Sequence, residues 1–176
     1  MKLIAITAAD NDALAFIKAL YETSFPLAER RAWGQLVSMI GNGQMEVGIV
    51  SDGYIYVGFA IWWQIEEWFY LEHFAIDPAL RGQQYGSRVM EMFLEKASRK
   101  LVLEVEHANN VDSQRRIAFY KKLGLDVVQI EYYQPPYIKD GSPIAMHLMV
   151  GEKIIDLYKF QKLVGTIKEK VYEQFY

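Results

Sequence analysis

The sequence contains no cysteine among its 176 residues and only three histidines. Without cysteine, the chain can have no disulfide framework, no thiolate zinc site and no cysteine nucleophile. The three histidines are scattered and do not show the spacing of a metal-binding motif, so no metal is expected in a functional site.

Basic residues are not in excess, because 19 lysines and arginines stand against 22 aspartates and glutamates, which gives a net charge of −3. Nucleic-acid binding would need a basic face, so no nucleic-acid partner is expected. No stretch approaches the roughly 18 apolar residues of a membrane span, and the run at residues 1–7 is too short for a signal peptide. We therefore expect one cytoplasmic domain with no membrane partner.

The hydrophobic pattern predicts an α/β protein with six to seven strands and flanking helices. The Asp52-Gly53 pair between two apolar runs predicts an antiparallel hairpin. Strands are predicted over residues 2–7, 44–50, 54–65, 68–76, 101–105, 125–133 and 143–150. Helices are predicted from about residue 12 to before Pro26, over 29–40, over about 85–97, and from Asp112 or Ser113 to Leu123.

Residues 151–176 form a predicted helical extension to a domain over residues 1–150. Leu157, Phe160, Val164, Ile167 and Val171 recur at alternating spacings of three and four, which is typical of one apolar helix face. Gly165 lies within this pattern and could break the helix. The apolar face either packs on the domain's own sheet or forms a homodimer contact.

The stretch from Tyr70 to Ser87 combines an apolar strand, a proline turn, and an Arg-Gly loop that enters a helix. A helix N-terminus has unpaired N–H groups and the positive end of the macrodipole, and glycine lets an anion approach closely. The stretch is therefore a candidate anion site. It lacks the Gly-Lys-Ser/Thr ending of a Walker loop and the three glycines of a dinucleotide fingerprint.

The loop Arg81-Gly82-Gln83-Gln84-Tyr85-Gly86 resembles the pyrophosphate loop of the GNAT superfamily of acyl-CoA-dependent N-acetyltransferases, although Gln84 stands where that family has its first glycine. The preceding Tyr70-Leu71-Glu72 resembles the same strand of polyamine acetyltransferases. A second similarity lies at Ala118–Leu125, where a tyrosine precedes a Lys-Leu-Gly end. The order of predicted elements over residues 1–150 is also that of the superfamily, and this resemblance implies the GNAT fold, with a mixed, mostly antiparallel sheet of six to seven strands flanked by helices.

The resemblance implies acetyl-CoA as cosubstrate. It assigns backbone contacts with the pantetheine arm and the pyrophosphate. Ser113 stands where an asparagine is common in the family, and Asn109 and Asn110 are looser matches just upstream. We expect a helical φ at Gln84, which would let its N–H serve as well as that of glycine. The predicted cofactor-binding residues are Phe74, Ala75, Ile76, Arg81, Gly82, Gln83, Gln84, Tyr85, Gly86, Ser87 and Asn110.

The resemblance also implies two catalytic side chains. Glu72 is the candidate base, directly or through water, with His73 as a rival whose ordinary pKa is closer to neutrality. Tyr120 is the candidate acid, from its place in the family helix. Each has an alternative interpretation: a paired strand glutamate for Glu72, a hydrogen-bonded histidine for His73 and a half-buried core tyrosine for Tyr120.

The predicted function is direct transfer of an acetyl group to a primary amine of a small molecule or peptide. The alternative is a non-catalytic acyl-CoA-binding module, which Gln84 and the C-terminal extension would favour. Tyr132, Tyr133 and Tyr137 lie on a segment that borders the acceptor site in the superfamily. The identity of the acceptor is left open.

Overall fold

The computed structural model describes all 176 residues and contains five α-helices and eight strands. The helices are α1 Asn11–Ser24, α2 Trp33–Met39, α3 Tyr85–Lys96, α4 Val111–Lys122 and α5 Leu157–Ile167. The strands are β1 Lys2–Ala5, β2 Met45–Asp52, β3 Ile55–Ile65, β4 Trp68–Ile76, β5 Leu101–Glu106, β6 Asp126–Val127, β7 Tyr132–Gln134 and β8 Ile144–Val150. Shorter 3-10 or π turns lie at Leu27–Glu29, Pro78–Leu80, Lys168–Tyr172 and Glu173–Phe175.

The strands form one sheet in the order β1-β2-β3-β4-β5-β8-β6, with β7 also paired to β8. This is the predicted mixed α/β architecture, but with eight strands rather than six or seven. The additional strand arises because the run predicted at 125–133 is interrupted. Its Val128 N–H still donates to Leu148, whereas the Ile130 N–H turns back to the Val128 carbonyl and leaves the ladder.

The chain divides into two compact units, and the first comprises Met1–Gln64 with Leu71–Met90. Here β1 pairs antiparallel with β2, and β2 with β3 across the predicted Asp52-Gly53 hairpin. Gly58 of β3 is required by close packing, since a Cβ there would lie 2.4 Å from the Ala75 carbonyl. The buried face of α1 carries Ala13, Ile17, Leu20 and Tyr21.

The second unit comprises Ile65–Tyr70 with Glu91–Tyr176. In it β8 pairs antiparallel with β5 on one side and with both β6 and β7 on the other. The C-terminal helix α5 buries Phe160, Val164 and Ile167, and the Phe160 ring lies 6.1 Å from that of Trp68. The apolar face predicted from the spacing is thus covered within the chain at these positions, although Leu157 at its start is 48% exposed.

Two predicted helix boundaries are wrong, and the break that Gly165 could have caused does not occur. The second helix begins at Trp33 rather than residue 29, because Leu27–Glu29 forms a 3-10 turn and Arg30 is extended. The cap of α4 is Asn110, whose side chain accepts from the Ser113 N–H, and not Asp112 or Ser113. Helix α5 continues through Gly165 and changes to a π turn only at Lys168.

None of the five α-helices combines the length and the apolar character that a membrane span needs.

Candidate functional site

The segment between β4 and α3 is an exposed loop that begins with a rigid turn. The Asp77 side chain accepts a hydrogen bond from the Ala79 N–H at 2.9 Å, and its own N–H donates to the Val57 carbonyl at 2.9 Å. Residues 81–84 that follow are all exposed. The first N–H groups of α3 lack intrahelical acceptors, as in any helix, and carry the positive end of its dipole. The predicted loop therefore presents an accessible N-terminus to an anion.

Gln84 has a φ of +62°, and Gly82 has a φ of +81°. The expected helical φ at Gln84 is wrong, because this residue is the N-cap of α3 and not part of its first turn. Its carbonyl accepts the first helical hydrogen bond, from the Arg88 N–H at 3.1 Å. A side chain in the left-handed region costs about 1–2 kcal/mol relative to the ordinary region, so the position that the family fills with glycine is strained here.

The first residue of α3, Tyr85, is fixed by its side chain. It is 9% exposed, and its hydroxyl donates to Asp52 at 3.1 Å. Asp52 also pairs with the N-terminal ammonium of Met1 at 3.0 Å. The Tyr85 ring therefore serves as an anchor, and only its backbone N–H remains to meet a ligand.

The predicted pantetheine residues form the end of β4. Ala75 is 7% and Ile76 is 8% exposed, while Phe74 is half-buried. Their side chains are mainly core, so any cofactor contact would be through the backbone, as the resemblance implies.

Glu72 lies in a buried ion pair. Its side chain is 1% exposed, and its Oε1 lies 3.1 Å from Nη2 of Arg31, whose side chain is fully buried. Its Oε2 accepts a hydrogen bond from the Trp63 indole at 2.6 Å. Removing either partner would leave the other buried charge without its counter-ion, which is costly. The ion pair therefore fixes the position of Glu72.

His73 is buried beside Glu72 and is enclosed by aromatic rings. Its Nε2–H donates to the Glu29 carbonyl at 3.0 Å, and its Nδ1 lies 3.8 Å from Glu72 Oε1. The Phe25 and Tyr21 rings pack edge-on at 4.5 and 5.0 Å. Burial lowers the pKa of His73, so the ring is neutral at pH 7. These contacts link β4 to the segment after α1.

Tyr120 and Asn110 lie at opposite ends of α4, about 15 Å apart at 1.5 Å per residue. Tyr120 is 8% exposed, and burial raises its pKa to about 12, an effect that Arg116 partly opposes. Its hydroxyl therefore stays protonated at neutral pH. Asn110 forms a capping box with Ser113, so its side-chain oxygen is already engaged.

Sequence reasoning missed a polar cluster around Glu104 of β5. The carboxylate accepts hydrogen bonds from the hydroxyls of Tyr132, Tyr70 and Tyr172, the last at 2.8 Å, and from the Gln134 amide at 2.5 Å. The sequence did contain a signal for this cluster, because a glutamate within a strand that is otherwise apolar and buried needs polar partners. What the sequence could not give was the identity of these partners, since Tyr172 is 68 residues away along the chain.

Residues 14–125 match the family profile described as the Acetyltransferase (GNAT) family. A solved structure from Bacteroides thetaiotaomicron, assigned to the GNAT family as an acetyltransferase, has a TM-score of 0.91 and 32% identity over 98% of each chain.

The similarity of two further structures concerns the fold alone. The ribosomal-protein-S18-alanine N-acetyltransferase of Escherichia coli has a TM-score of 0.60 and 20% identity, over 87% of this chain and 95% of that one. Spermidine N-acetyltransferase from Vibrio cholerae, in complex with CoA and spermine, has a TM-score of 0.62 and 14% identity, over 85% of this chain and 95% of that one. No curated protein matches the sequence.

Proposed function

Because the chain belongs to the GNAT family of acetyltransferases, we propose that it transfers the acetyl group of acetyl-CoA directly to a primary amine. Family membership confirms the predicted fold and the predicted class of enzyme, an acetyl-CoA-dependent N-acetyltransferase. The acceptor, the mode of transfer and the residue roles below are proposals.

The observation that carries the cofactor proposal is the exposed N-terminus of α3 behind the loop at residues 81–84. Backbone N–H groups at a helix N-terminus bind phosphate groups without any side chain. We assign the pyrophosphate of coenzyme A to Arg81, Gly82, Gln83, Gln84, Tyr85, Gly86 and Ser87. In this arrangement Gln84 has a left-handed backbone conformation, with a φ of +62°, at the position where the family has glycine.

The pantetheine arm is assigned to the backbone of Phe74, Ala75 and Ile76, where β4 ends. Asn110 is assigned a supporting contact with the cofactor through its amide group, because its side-chain oxygen is used by the cap of α4. Both assignments come from the resemblance and are compatible with the burial of these side chains.

Acyl transfer requires loss of a proton from the amine and release of a thiolate. An amine with a pKa near 10.4 is unprotonated in fewer than about one molecule in a thousand at pH 7, and a leaving thiol has a pKa of about 8.5. Tyr120, with its pKa of about 12, is a weaker acid than that thiol. Its hydroxyl therefore stabilises the departing thiolate by a hydrogen bond instead of transferring its proton fully.

The role of Glu72 as the base stays a prediction. Its pair with Arg31 and its hydrogen bond from Trp63 favour a positioning role, because both carboxylate oxygens are already held by buried partners. In that role Glu72 fixes the segment around Arg31 against β4. A pH–rate profile of Glu72→Gln that keeps its acid limb would agree with positioning, and loss of that limb would agree with a base.

The structural neighbours support an amine acceptor, since one is named as a spermidine N-acetyltransferase and another as a ribosomal-protein-S18-alanine N-acetyltransferase. A small amine and a peptide N-terminus are both compatible with these names. Three further statements stay predictions from the sequence. They are a cytoplasmic location, a catalytic domain over residues 1–150 with an extension at 151–176, and a homodimer.

A panel assay tests the proposal by following the free thiol released from acetyl-CoA in the presence of polyamines, amino sugars and peptides. We expect at least one primary amine to stimulate release, and Tyr120→Phe to lower kcat by about 10². Tight binding of acetyl-CoA without stimulation by any amine would instead favour the non-catalytic module.

A further inference from the structure

The second unit contains a cavity of about 450 Å³ that has no role in the proposal above. It lies between the turn that joins β3 to β4, the start of β5, and the connection from β8 into the first turns of α5. None of the residues assigned to the cofactor or to catalysis lines it. Its volume is within the range of sites that bind small molecules. We call it the α5 cavity.

The most buried residues that line the α5 cavity are apolar. Phe160 is 3% and Leu163 is 5% exposed, and the Trp68 ring meets the Phe160 ring edge-on at 6.1 Å. Ile155, which also lines the cavity, is 92% exposed and leaves an apolar side chain at the rim. Aromatic rings and exposed apolar groups are typical of a surface that contacts an apolar body. The lining therefore favours a ligand that is partly apolar.

Three of the four lysines in the lining are already engaged within the chain. Their contacts are a hydrogen bond of 2.7 Å from Lys100 to Glu67, an ion pair of 4.0 Å between Lys159 and Asp156, and a cation–π contact of 4.6 Å between Lys162 and Tyr158. The fourth lysine, Lys153, is exposed, so water solvates its ammonium group. The lining therefore contains no buried positive charge that needs an anionic ligand.

One carboxylate of the lining is in the opposite situation. Glu152 lies two residues after β8, and its Oε2 is buried and receives no hydrogen bond. The pKa of Lys100 is raised mainly by its hydrogen bond with Glu67 and less by the charge of Glu152, in keeping with a lysine that serves Glu67. A buried acceptor without a donor costs free energy. Oε2 of Glu152 is thus the atom of the lining that an incoming N–H group would satisfy.

We propose that the α5 cavity binds a small organic cation with an aromatic or alkyl body, and that Glu152 accepts a hydrogen bond from its ammonium group. The ammonium group supplies a positive charge and an N–H donor, which match a carboxylate oxygen that has no donor of its own. The body of the ligand packs on Trp68 and Phe160, and the faces of these rings also favour a nearby cation. The inference goes beyond the proposed function and does not rest on it.

The site gives the C-terminal segment a role in binding. Glu152 and Ile155 lie in the connection before α5, and Phe160 and Leu163 lie in its first two turns. These residues supply the carboxylate, the rim and most of the apolar wall, whereas Trp68 comes from the start of β4. The segment is therefore part of a ligand site as well as a helix packed on its own unit.

The experiment measures binding of N,N-dimethyl-2-phenylethylammonium to the full chain at pH 7 by isothermal titration calorimetry. This tertiary ammonium has one N–H donor and cannot form an amide, so it cannot be an acceptor of the acetyl group. We expect wild type to bind it and Glu152→Gln to bind it about tenfold more weakly, because a charge-assisted hydrogen bond is lost. Glu169→Gln is the matched control and should behave as wild type, since Glu169 is exposed on the same segment and does not line the cavity.

Two relatives of this probe separate the hydrogen bond from the charge. Trimethyl(2-phenylethyl)ammonium has the charge but no N–H donor, and it should bind wild type about tenfold more weakly than the tertiary ammonium. The anion 4-phenylbutyrate has a similar body and the opposite charge, so it should bind more weakly by at least about tenfold.

Two further variants test the rim. Ile155→Ser should weaken binding of the tertiary ammonium about threefold, because an apolar contact is lost, and the exposure of Ile155 means that the fold does not depend on it. Lys153→Gln removes an exposed charge of the same sign as the ligand, so its affinity should stay within about twofold of wild type.

Equal binding of the tertiary ammonium by wild type and Glu152→Gln, or no binding by wild type at millimolar concentration, would overturn the inference. So would binding of 4-phenylbutyrate as tight as that of the tertiary ammonium. The titration is repeated on the chain saturated with desulfo-coenzyme A, where we expect the same affinity, and competition would overturn the inference by locating the probe in the cofactor site. Failure to bind desulfo-coenzyme A would contradict only the proposed function.

Discussion

Two glutamates in strands, Glu72 on β4 and Glu104 on β5, are enclosed in opposite ways. Glu72 faces a buried arginine and an indole N–H, so its charge is balanced within the chain. Glu104 faces three tyrosine hydroxyls and an amide, which are neutral donors, so its charge is solvated but not balanced. The residue type and the secondary structure are the same, and the difference lies entirely in the partners.

This difference separates two effects on stability. A carboxylate whose counter-ion is part of the fold holds two segments together, here β4 and the segment around Arg31. A carboxylate surrounded by neutral donors carries a charge that burial disfavours, and this burial raises the pKa of Glu104. The family motif pointed to Glu72 as the base, and its ion pair is the reason that we propose a positioning role for it instead.

The largest expected effect is that of removing the counter-ion of Glu72. Arg31→Met should lower the free energy of unfolding by about 3–5 kcal/mol, because it leaves a buried carboxylate without its partner. Urea denaturation at pH 7 measures this. The double variant Arg31→Met with Glu72→Leu should recover most of the loss, since no charge then remains buried.

The control for this prediction is the exposed pair of Lys18 and Glu22, which lies at 2.7 Å on α1. Lys18→Met should change the unfolding free energy by less than about 1 kcal/mol. If Arg31→Met is as mild as Lys18→Met, Glu72 is not held by its ion pair. The contrast with Glu104 then fails.

A second, smaller effect concerns the pH dependence of stability. The folded-state pKa of Glu104 lies above its unfolded value of about 4.5, so the folded chain binds more protons in this window. Stability therefore falls as pH rises from the unfolded pKa through the raised folded pKa. Glu104→Gln lacks this ionisation, so we expect it to gain stability relative to wild type between pH 4 and 8, measured by urea denaturation at each pH.

Glu67 gives a control of opposite sign, since its hydrogen bond from Lys100 at 2.7 Å lowers its pKa. Its contribution to stability is present above the unfolded pKa and is lost as pH falls. Glu67→Gln should therefore lose stability relative to wild type as pH rises. The same trend for both variants would mean that Glu104 is paired after all.

The sequence predicted the elements whose pattern is local. The helix predicted over about 85–97 is present, its apolar positions Val89, Met90, Phe93, Leu94 and Ala97 are all buried, and the Asp52-Gly53 hairpin is antiparallel as expected. Periodicity and turn chemistry act over a few residues, so one sequence is enough to reveal them. The second helix was predicted too early because Glu29 suits a helix locally, whereas Leu27–Glu29 forms a 3-10 turn, Arg30 is extended, and Arg31 is buried against Glu72.

The candidate site was predictable only in part for the same reason. The loop at residues 81–87 is a local motif and lies where the pattern put it. The partners of Glu104 come from β4, β7 and the C-terminal segment, and no local signal joins them. The π turn that delivers Tyr172 was also not predictable, because a heptad-like spacing gives no indication of an added residue in a helix.

The smallest expected effect concerns Gln84, where backbone strain and not charge marks the site. Gln84→Gly removes the side chain from a φ of +62° and should raise the free energy of unfolding by about 0.5–1 kcal/mol, after the greater freedom of glycine in the unfolded chain is counted. Urea denaturation measures the change, and Gln83→Gly next to it should be neutral or destabilising. Affinity for desulfo-coenzyme A should stay within about twofold of wild type in both variants, because the backbone N–H groups are kept. If Gln84→Gly weakens cofactor binding tenfold, the side chain of Gln84 is itself a ligand, and this loop does not bind the cofactor through its backbone alone.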